Sequence, residues 1–162
     1  MKVLRWLDNY IELVILAVLF SLMVIVTFLQ VIMRYFMGTS LSGAEEIARY
    51  SFIWLVYIGT SYALKYRGHI RVEAITLLFK RKGKFFFDII ANVFFIVFAL
   101  YVVYVGTDLA AALLSGGQTS ASLHIPMGFI YMAAPVGMGL SIIRIIQNMI
   151  KDFKNFKNEE VY

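Results

Sequence analysis

KYRGHIRVEAITLLFKRKGK, residues 65–84, holds seven of the chain's fifteen Lys and Arg residues. It separates two long apolar stretches, each of a length that suits a membrane span. Connections rich in Lys and Arg between spans stay on the cytoplasmic side. This stretch therefore predicts an integral membrane protein and also its orientation.

Composition points the same way. Of 162 residues, 61% are apolar and 15% charged, whereas a soluble domain averages roughly 45–50% apolar and about 25% charged. A soluble core of this size cannot hide the excess, because a small domain buries only part of its surface. The net charge of +5 comes from cations beside the apolar stretches, which suits membrane topology better than a nucleic-acid surface. There is no cysteine, so thiol chemistry, disulfides and cysteine-bound metals are excluded.

Working outward from residues 65–84, four spans are expected, over about 11–35, 43–66, 86–110 and 126–150. The first has 21 uncharged residues, 13–33. That is longer than a signal-peptide core, and no Ala-x-Ala pattern closes it, so it reads as a retained span. Trp6, Tyr10, Arg34 and Tyr35 flank it as interfacial anchors. The second opens with Ser42-Gly43-Ala44-Glu45, which has the form of a capping box with Ser42 as cap and Glu45 reaching back. Its uncharged part, residues 50–64, is roughly 22 Å long at the helical rise, short of the roughly 30 Å hydrocarbon core. Arg49 and Lys65 are expected to snorkel, or the bilayer to thin. The third span has 19 uncharged residues, 89–107, and the uncharged loop 115–120 follows it. The fourth begins at Pro126, where a missing N–H costs little, and Pro135 is expected to distort it. With the N-terminus inside, thirteen of the fifteen cations are cytoplasmic and only Arg34 and Arg49 lie outside. Both termini are therefore expected in the cytoplasm.

Within the connection, Val72, Ile75, Leu78 and Phe79 share a helical face, away from Arg71, Glu73, Thr76 and Lys80. This predicts an amphipathic helix over about 70–82 lying flat at the inner interface. Leu77 interrupts the pattern, and an ordinary loop is the alternative. Lys65, Arg67, His69, Arg71, Lys80, Arg81 and Lys82 are the candidate anchors at the inner headgroups. The expected fold class is an all-α integral membrane protein, one domain over 1–162, with four transmembrane helices and an interfacial helix between the second and third.

No span has a charge near its middle, the mark of a proton relay or ion path. Glu12, Arg49, Asp88, Asp108 and Arg144 all fall at span ends. Ser21, Thr27, Gln30, Thr60, Ser61, Asn92 and Ser141 are the polar interior residues, and helix–helix hydrogen bonding is their expected role. His69 and His124 fall on opposite sides of the membrane, so they cannot ligate one haem. No nucleophile–base pair is present, so no catalytic, metal or substrate-binding residue is expected, and neither is an enzyme. Glu45-Glu46-x-x-Arg49 places either acid within reach of Arg49 on one helical face, with both acids favoured by the dipole of the first turn. It serves as a self-satisfied helix start, a docking point, or both. Ala133 and Gly137, with Gly139 nearby, offer small residues for close packing within the chain or toward a partner.

These residues together resemble a family. Glu45-Glu46, Arg49, Trp54 and Gly59, then His69-Ile70-Arg71-Val72-Glu73, then Ile125-Pro126, Tyr131 and Pro135-Val136-Gly137 resemble the small, DctQ-like membrane subunit of TRAP (tripartite ATP-independent periplasmic) transporters. The resemblance covers nearly the whole chain. It departs at Gly43, where the family often has Trp. The resemblance implies a bacterial inner-membrane protein that partners a large polytopic subunit and a periplasmic substrate-binding protein. The large subunit carries the substrate and sodium sites, so no cofactor is expected in this chain. The substrate is an organic acid, such as sialic acid or a dicarboxylate, taken up by sodium symport. The small subunit scaffolds the large one and helps receive the binding protein. Glu45, Glu46, Arg49, Trp54, Gly59, Ala133 and Gly137 are the candidate partner interface, with membrane lipids as further partners and nucleic acid excluded. Two other readings compete. One is a homo-oligomeric transporter or channel with a path through Gln30, Thr60 and Asn92. The other is a membrane enzyme or electron carrier, for which the residues are lacking.

Overall fold

A computed structural model of the chain describes residues 2–39, 41–66 and 81–159. They form five helices: α1 (Lys2–Phe36), α2 (Ala44–Lys65), α3 (Arg81–Ser115), α4 (Met127–Tyr131) and α5 (Ala133–Glu159). Most of the expected interfacial helix lies outside the described residues. Arg81 and Lys82, its last two positions, instead open α3.

Three stretches, Tyr10–Phe36, Phe87–Ser115 and Met127–Lys154, are long and apolar enough to cross a membrane. Helix α2 is not among them, since Glu45, Glu46, Arg49 and Lys65 sit at its two ends. It nevertheless has 22 residues, about 33 Å at the helical rise.

The helices stand in a row. Helix α1 packs on α2, α2 on α5, and α5 on α3. Helices α1 and α2 are antiparallel, since Glu12 near the start of α1 meets Ser61 near the end of α2. Helices α2 and α5 run parallel. Tyr50 meets Met127, Tyr57 meets Gly137, and Leu64 meets Asn148. Helix α3 returns antiparallel to α5, with Gly106 against Pro135 and Leu114 against Gly128.

A single row has two open faces, and the burial pattern follows from that. Only 6% of the apolar windows of α1 and α3, the edge helices, is buried, against 39% for Met127–Lys154. Phe28, Phe94 and Tyr104 are exposed. Apart from Leu64, the fully buried positions are small, including Ala99, Ala110, Ala133 and Ser141, as suits helices that associate in lipid through close backbone approach. Gly137 shows the limit. A Cβ there would lie 2.6 Å from the Tyr57 Cβ and 2.7 Å from the Tyr57 carbonyl carbon and oxygen.

Two local expectations need correction. The start of α2 is not a capping box. Gly43 holds the N-cap position at φ 83°, with no side-chain cap bond. A preceding turn closes from the Ala44 N–H to the Leu41 carbonyl at 3.2 Å. Gly43 is also packed under Leu123, so a Cβ would lie 2.8 Å from its Cδ2. The left-handed backbone favours glycine here, and an added Cβ would also have to displace the Leu123 side chain. The fourth apolar segment is likewise two helices, broken at Met132. Pro135 has no N–H to offer the Tyr131 carbonyl four residues back. The ladder resumes from the Val136 N–H to the Met132 carbonyl at 3.1 Å. The distortion expected from Pro135 is thus present, one turn ahead of the proline.

Most interior hydroxyls bond within their own helix rather than across. Thr27 donates to the Met23 carbonyl, Thr60 to Val56 and Ser141 to Gly137, at 2.8–2.9 Å. Ser61 does cross to another helix.

Candidate functional site

Two polar constellations hold the row together, one at each end. The first joins three helices. Glu12 Oε1 on α1 lies 3.0 Å from Arg144 Nη2 on α5 and accepts from Arg144 Nε at 3.1 Å. The Ser61 hydroxyl on α2 donates to the same oxygen at 3.3 Å. Arg144 Nη1 donates to Gln147 Oε1 at 3.0 Å. One turn of α5 beyond Arg144, Asn148 Nδ2 donates to the Leu64 carbonyl in the last turn of α2 at 2.8 Å. The Glu12 and Arg144 side chains are only 4% and 8% exposed. Glu12 Oε2 is buried without a hydrogen-bond partner among the described residues, so the carboxylate depends on the Arg144 charge. Such a pair adds little net stability, but losing one partner strands a buried charge at a cost of about 3–5 kcal/mol. It specifies which helices meet, and in which register.

The second constellation fastens the loop before α4 to the start of α2. Residues 118–127 form a narrow turn, in which the Met127 N–H donates to the Gln118 carbonyl and the Ser120 N–H to the Ile125 carbonyl, both at 2.9 Å. The Glu46 carboxylate accepts from the Ser122 N–H at 3.0 Å and the Leu123 N–H at 3.2 Å, one to each oxygen. Glu46 lies ahead of the uncharged part of α2. Each carboxylate oxygen thus takes one backbone amide, a charge-assisted arrangement that suits the ionised acid.

The structure separates the acidic pair. Glu46 is turned inward and 7% exposed. Glu45 is 82% exposed at the side chain, and its oxygen is 3.9 Å from Arg49. Trp54 is half-buried, and Gly59 faces Leu16 of α1 at ordinary contact distance. Ala133 is fully buried, and Gly137 abuts α2 of the same chain. Lys65 ends α2, with its ammonium 5.7 Å from the Tyr66 ring centre. Arg81 and Lys82 are in the first turn of α3, while Arg67, His69, Arg71 and Lys80 lie outside the described residues. Gln30 and Asn92 sit on α1 and α3, at opposite edges of the row, so one chain does not assemble a path from Gln30, Thr60 and Asn92.

Sequence reasoning placed Glu12 and Arg144 at span ends and did not pair them. The available signal was two opposite charges in the first and last spans, both at the end expected to face the cytoplasm. The partners of Glu46 had no comparable signal, because they are backbone amides.

Comparison with known proteins identifies the family. The family "Tripartite ATP-independent periplasmic transporters, DctQ component" matches residues 23–155. The chain is 32% identical over 91% of its length to the isethionate TRAP transporter permease protein DctMQ of Oleidesulfovibrio alaskensis, and it spans only 24% of that protein. It is 26% identical to a small permease protein of Haemophilus influenzae described as a putative TRAP component, over 95% of this chain and 92% of that one. It is 28% identical to the ectoine TRAP transporter small permease protein TeaB of Halomonas elongata, over 96% of this chain and 79% of that one. A family that matches 133 of 162 residues leaves one conclusion: the chain belongs to the DctQ component family of tripartite ATP-independent periplasmic transporters, a transporter component and not an enzyme class.

Proposed function

We propose that this chain is the scaffold subunit of a TRAP transporter for an organic solute. The observation that carries this reading is the row of helices, apolar on both faces and pinned at both ends by buried polar contacts. A one-layer plate cannot enclose a substrate. It can offer one face to lipid and the other to a large polytopic subunit, widening that subunit's base so that a moving part works against a fixed one. The substrate and sodium sites belong to the large subunit in this reading, and the solute arrives on a periplasmic binding protein. The relatives' names include isethionate, ectoine and C4-dicarboxylates. For this chain we propose an organic acid, sialic acid and dicarboxylates included, taken up by sodium symport.

Helix α2 is the fourth span in this proposal. It runs parallel to the α4–α5 segment from Tyr50–Met127 to Leu64–Asn148, so the depth crossed by that segment is shared by α2. The thirteen-to-two division of cations supports cytoplasmic termini in a bacterial inner membrane. The Glu46 end then faces the periplasm, where exposed Glu45 is the acid free to meet the binding protein.

The test is a mild-detergent pull-down of the tagged chain expressed with its genomic neighbours, followed by mass spectrometry. Recovery of one large polytopic protein in a fixed ratio is expected. Recovery of this chain alone as a discrete homo-oligomer would replace the scaffold with a self-assembled transporter.

A further inference from the structure

A groove of about 550 Å³ runs between α2 and the α4–α5 segment. Tyr50, Ile53, Tyr57, Ile130 and Tyr131 contribute to its walls, and Arg49 is the one charged residue among those that line it. Arg49 comes first along α2, at the end nearest the Glu46 clamp. It also borders a separate polar recess of about 270 Å³, together with Gln30, Ser42, Glu45 and Glu46. One guanidinium therefore stands between an apolar groove and a polar recess.

That guanidinium is positioned but not saturated. It lies 5.6 Å from the centre of the Tyr50 ring, a cation–π distance. Glu45 is 3.9 Å away, and both side chains are largely exposed. Among the described residues no hydrogen bond to Arg49 is formed, although a guanidinium has five donors in a fork that fits a phosphate. Glu46 takes no hydrogen bond from Arg49, because its two oxygens are held by the Ser122 and Leu123 amides.

We propose that this place binds one zwitterionic aminophospholipid. Its phosphate sits on the Arg49 fork, its ammonium reaches Glu45 in the polar recess, and one acyl chain lies in the groove along Tyr50, Ile53 and Tyr57. The order of charges selects the ligand. A cation at the groove and an acid beyond it match a phosphate followed by an amine, and the acid disfavours an anionic headgroup. The groove volume falls within the range of small-molecule sites, roughly 300–1,000 Å³, that are apolar with a few placed polar groups. Phosphates border both leaflets, so the site does not depend on which side of the membrane this end faces. It does not depend on the scaffold reading either, because the isolated chain contains every residue involved.

Native mass spectrometry of the full chain tests this, alone and in the complex recovered by pull-down. The probes are phosphatidylethanolamine, phosphatidylglycerol and diacylglycerol, each added in mixed micelles. Phosphatidylethanolamine is expected to bind once per chain in both preparations, with phosphatidylglycerol weaker and diacylglycerol weakest. Arg49→Ala, at an exposed position, should weaken it about tenfold, as expected for loss of a charge-assisted hydrogen bond. Ala134 also lines the groove, so Ala134→Phe should exclude the acyl chain, and Glu45→Gln should erase the preference over phosphatidylglycerol. Equal retention by wild type and Arg49→Ala overturns the proposal. So do equal binding of diacylglycerol, a ladder of unselective adducts, and loss of the lipid when the large subunit is present, which would assign the groove to protein.

Discussion

Glu12 and Arg144 stand 132 positions apart in sequence and 3.0 Å apart in space. The contact ties the first long helix to the last, past the Ser61 hydroxyl of the helix between them. Arg144→Ala should therefore destabilise the chain by about 3–5 kcal/mol. The double substitution Glu12→Leu with Arg144→Leu should recover much of that loss, because it strands no charge. A double-mutant cycle on thermal unfolding in detergent measures the coupling, and additive losses would show that the pair does not act as a unit.

Gly137 touches the Tyr57 backbone, so even Gly137→Ala forces α2 and α5 apart. Overpacking of this kind typically costs about 1–3 kcal/mol. Gly137→Leu should cost more than Gly137→Ala in the same unfolding measurement. Gly139, where an added Cβ meets nothing within 4 Å, is the control, and Gly139→Ala should not lower the midpoint.

The Glu46 clamp predicts a direction with pH. The two amides are held by the ionised carboxylate, so the clamp is lost over the acid window in which that carboxylate takes up a proton. The melting temperature of wild type should drop over that acid window more than that of Glu46→Gln, and the two curves should be offset but parallel near neutrality. Identical slopes in the acid window would mean that the clamp does not hold the ionised form.

Glu45 and Glu46 should behave differently under charge reversal. Glu45→Lys should reduce solute uptake with the membrane complex intact and the melting temperature unchanged. Glu46→Lys should lower the melting temperature and loosen the 118–127 turn, since a lysine cannot accept the two amide hydrogen bonds. Uptake by Glu45→Lys at the wild-type rate would remove the docking role.

The all-helical class, the two long edge helices and the distortion at Pro135 were legible in sequence because they follow from local pattern: apolar run length, charge at run ends and a missing N–H. The close approach at Gly137 was legible as a small residue at a packing spacing, though not whether it met this chain or another. What stayed hidden depends on which helices become neighbours. The pairing of Glu12 with Arg144 needs α1 and α5 to flank α2, and nothing local encodes that order. Ser42-Gly43-Ala44-Glu45 looked like a capping box because it has the right spacing, but the packing of Leu123 onto Gly43 and the left-handed turn there decided otherwise. Glu46 was grouped with Glu45 on sequence adjacency. A helix turns its neighbours about 100° apart, which sends one acid inward and the other to the surface.

The Glu12–Arg144 contact also acquires a timing. Residues are made in order, so the Glu12 acid of α1 waits for its cation until α5 has been made. A chain that ends before residue 144 contains α1 and α2 complete but leaves a carboxylate near the hydrocarbon with no cation assigned to it. Closure of the pair thus reports that α5 has joined α1 and α2 in the right register.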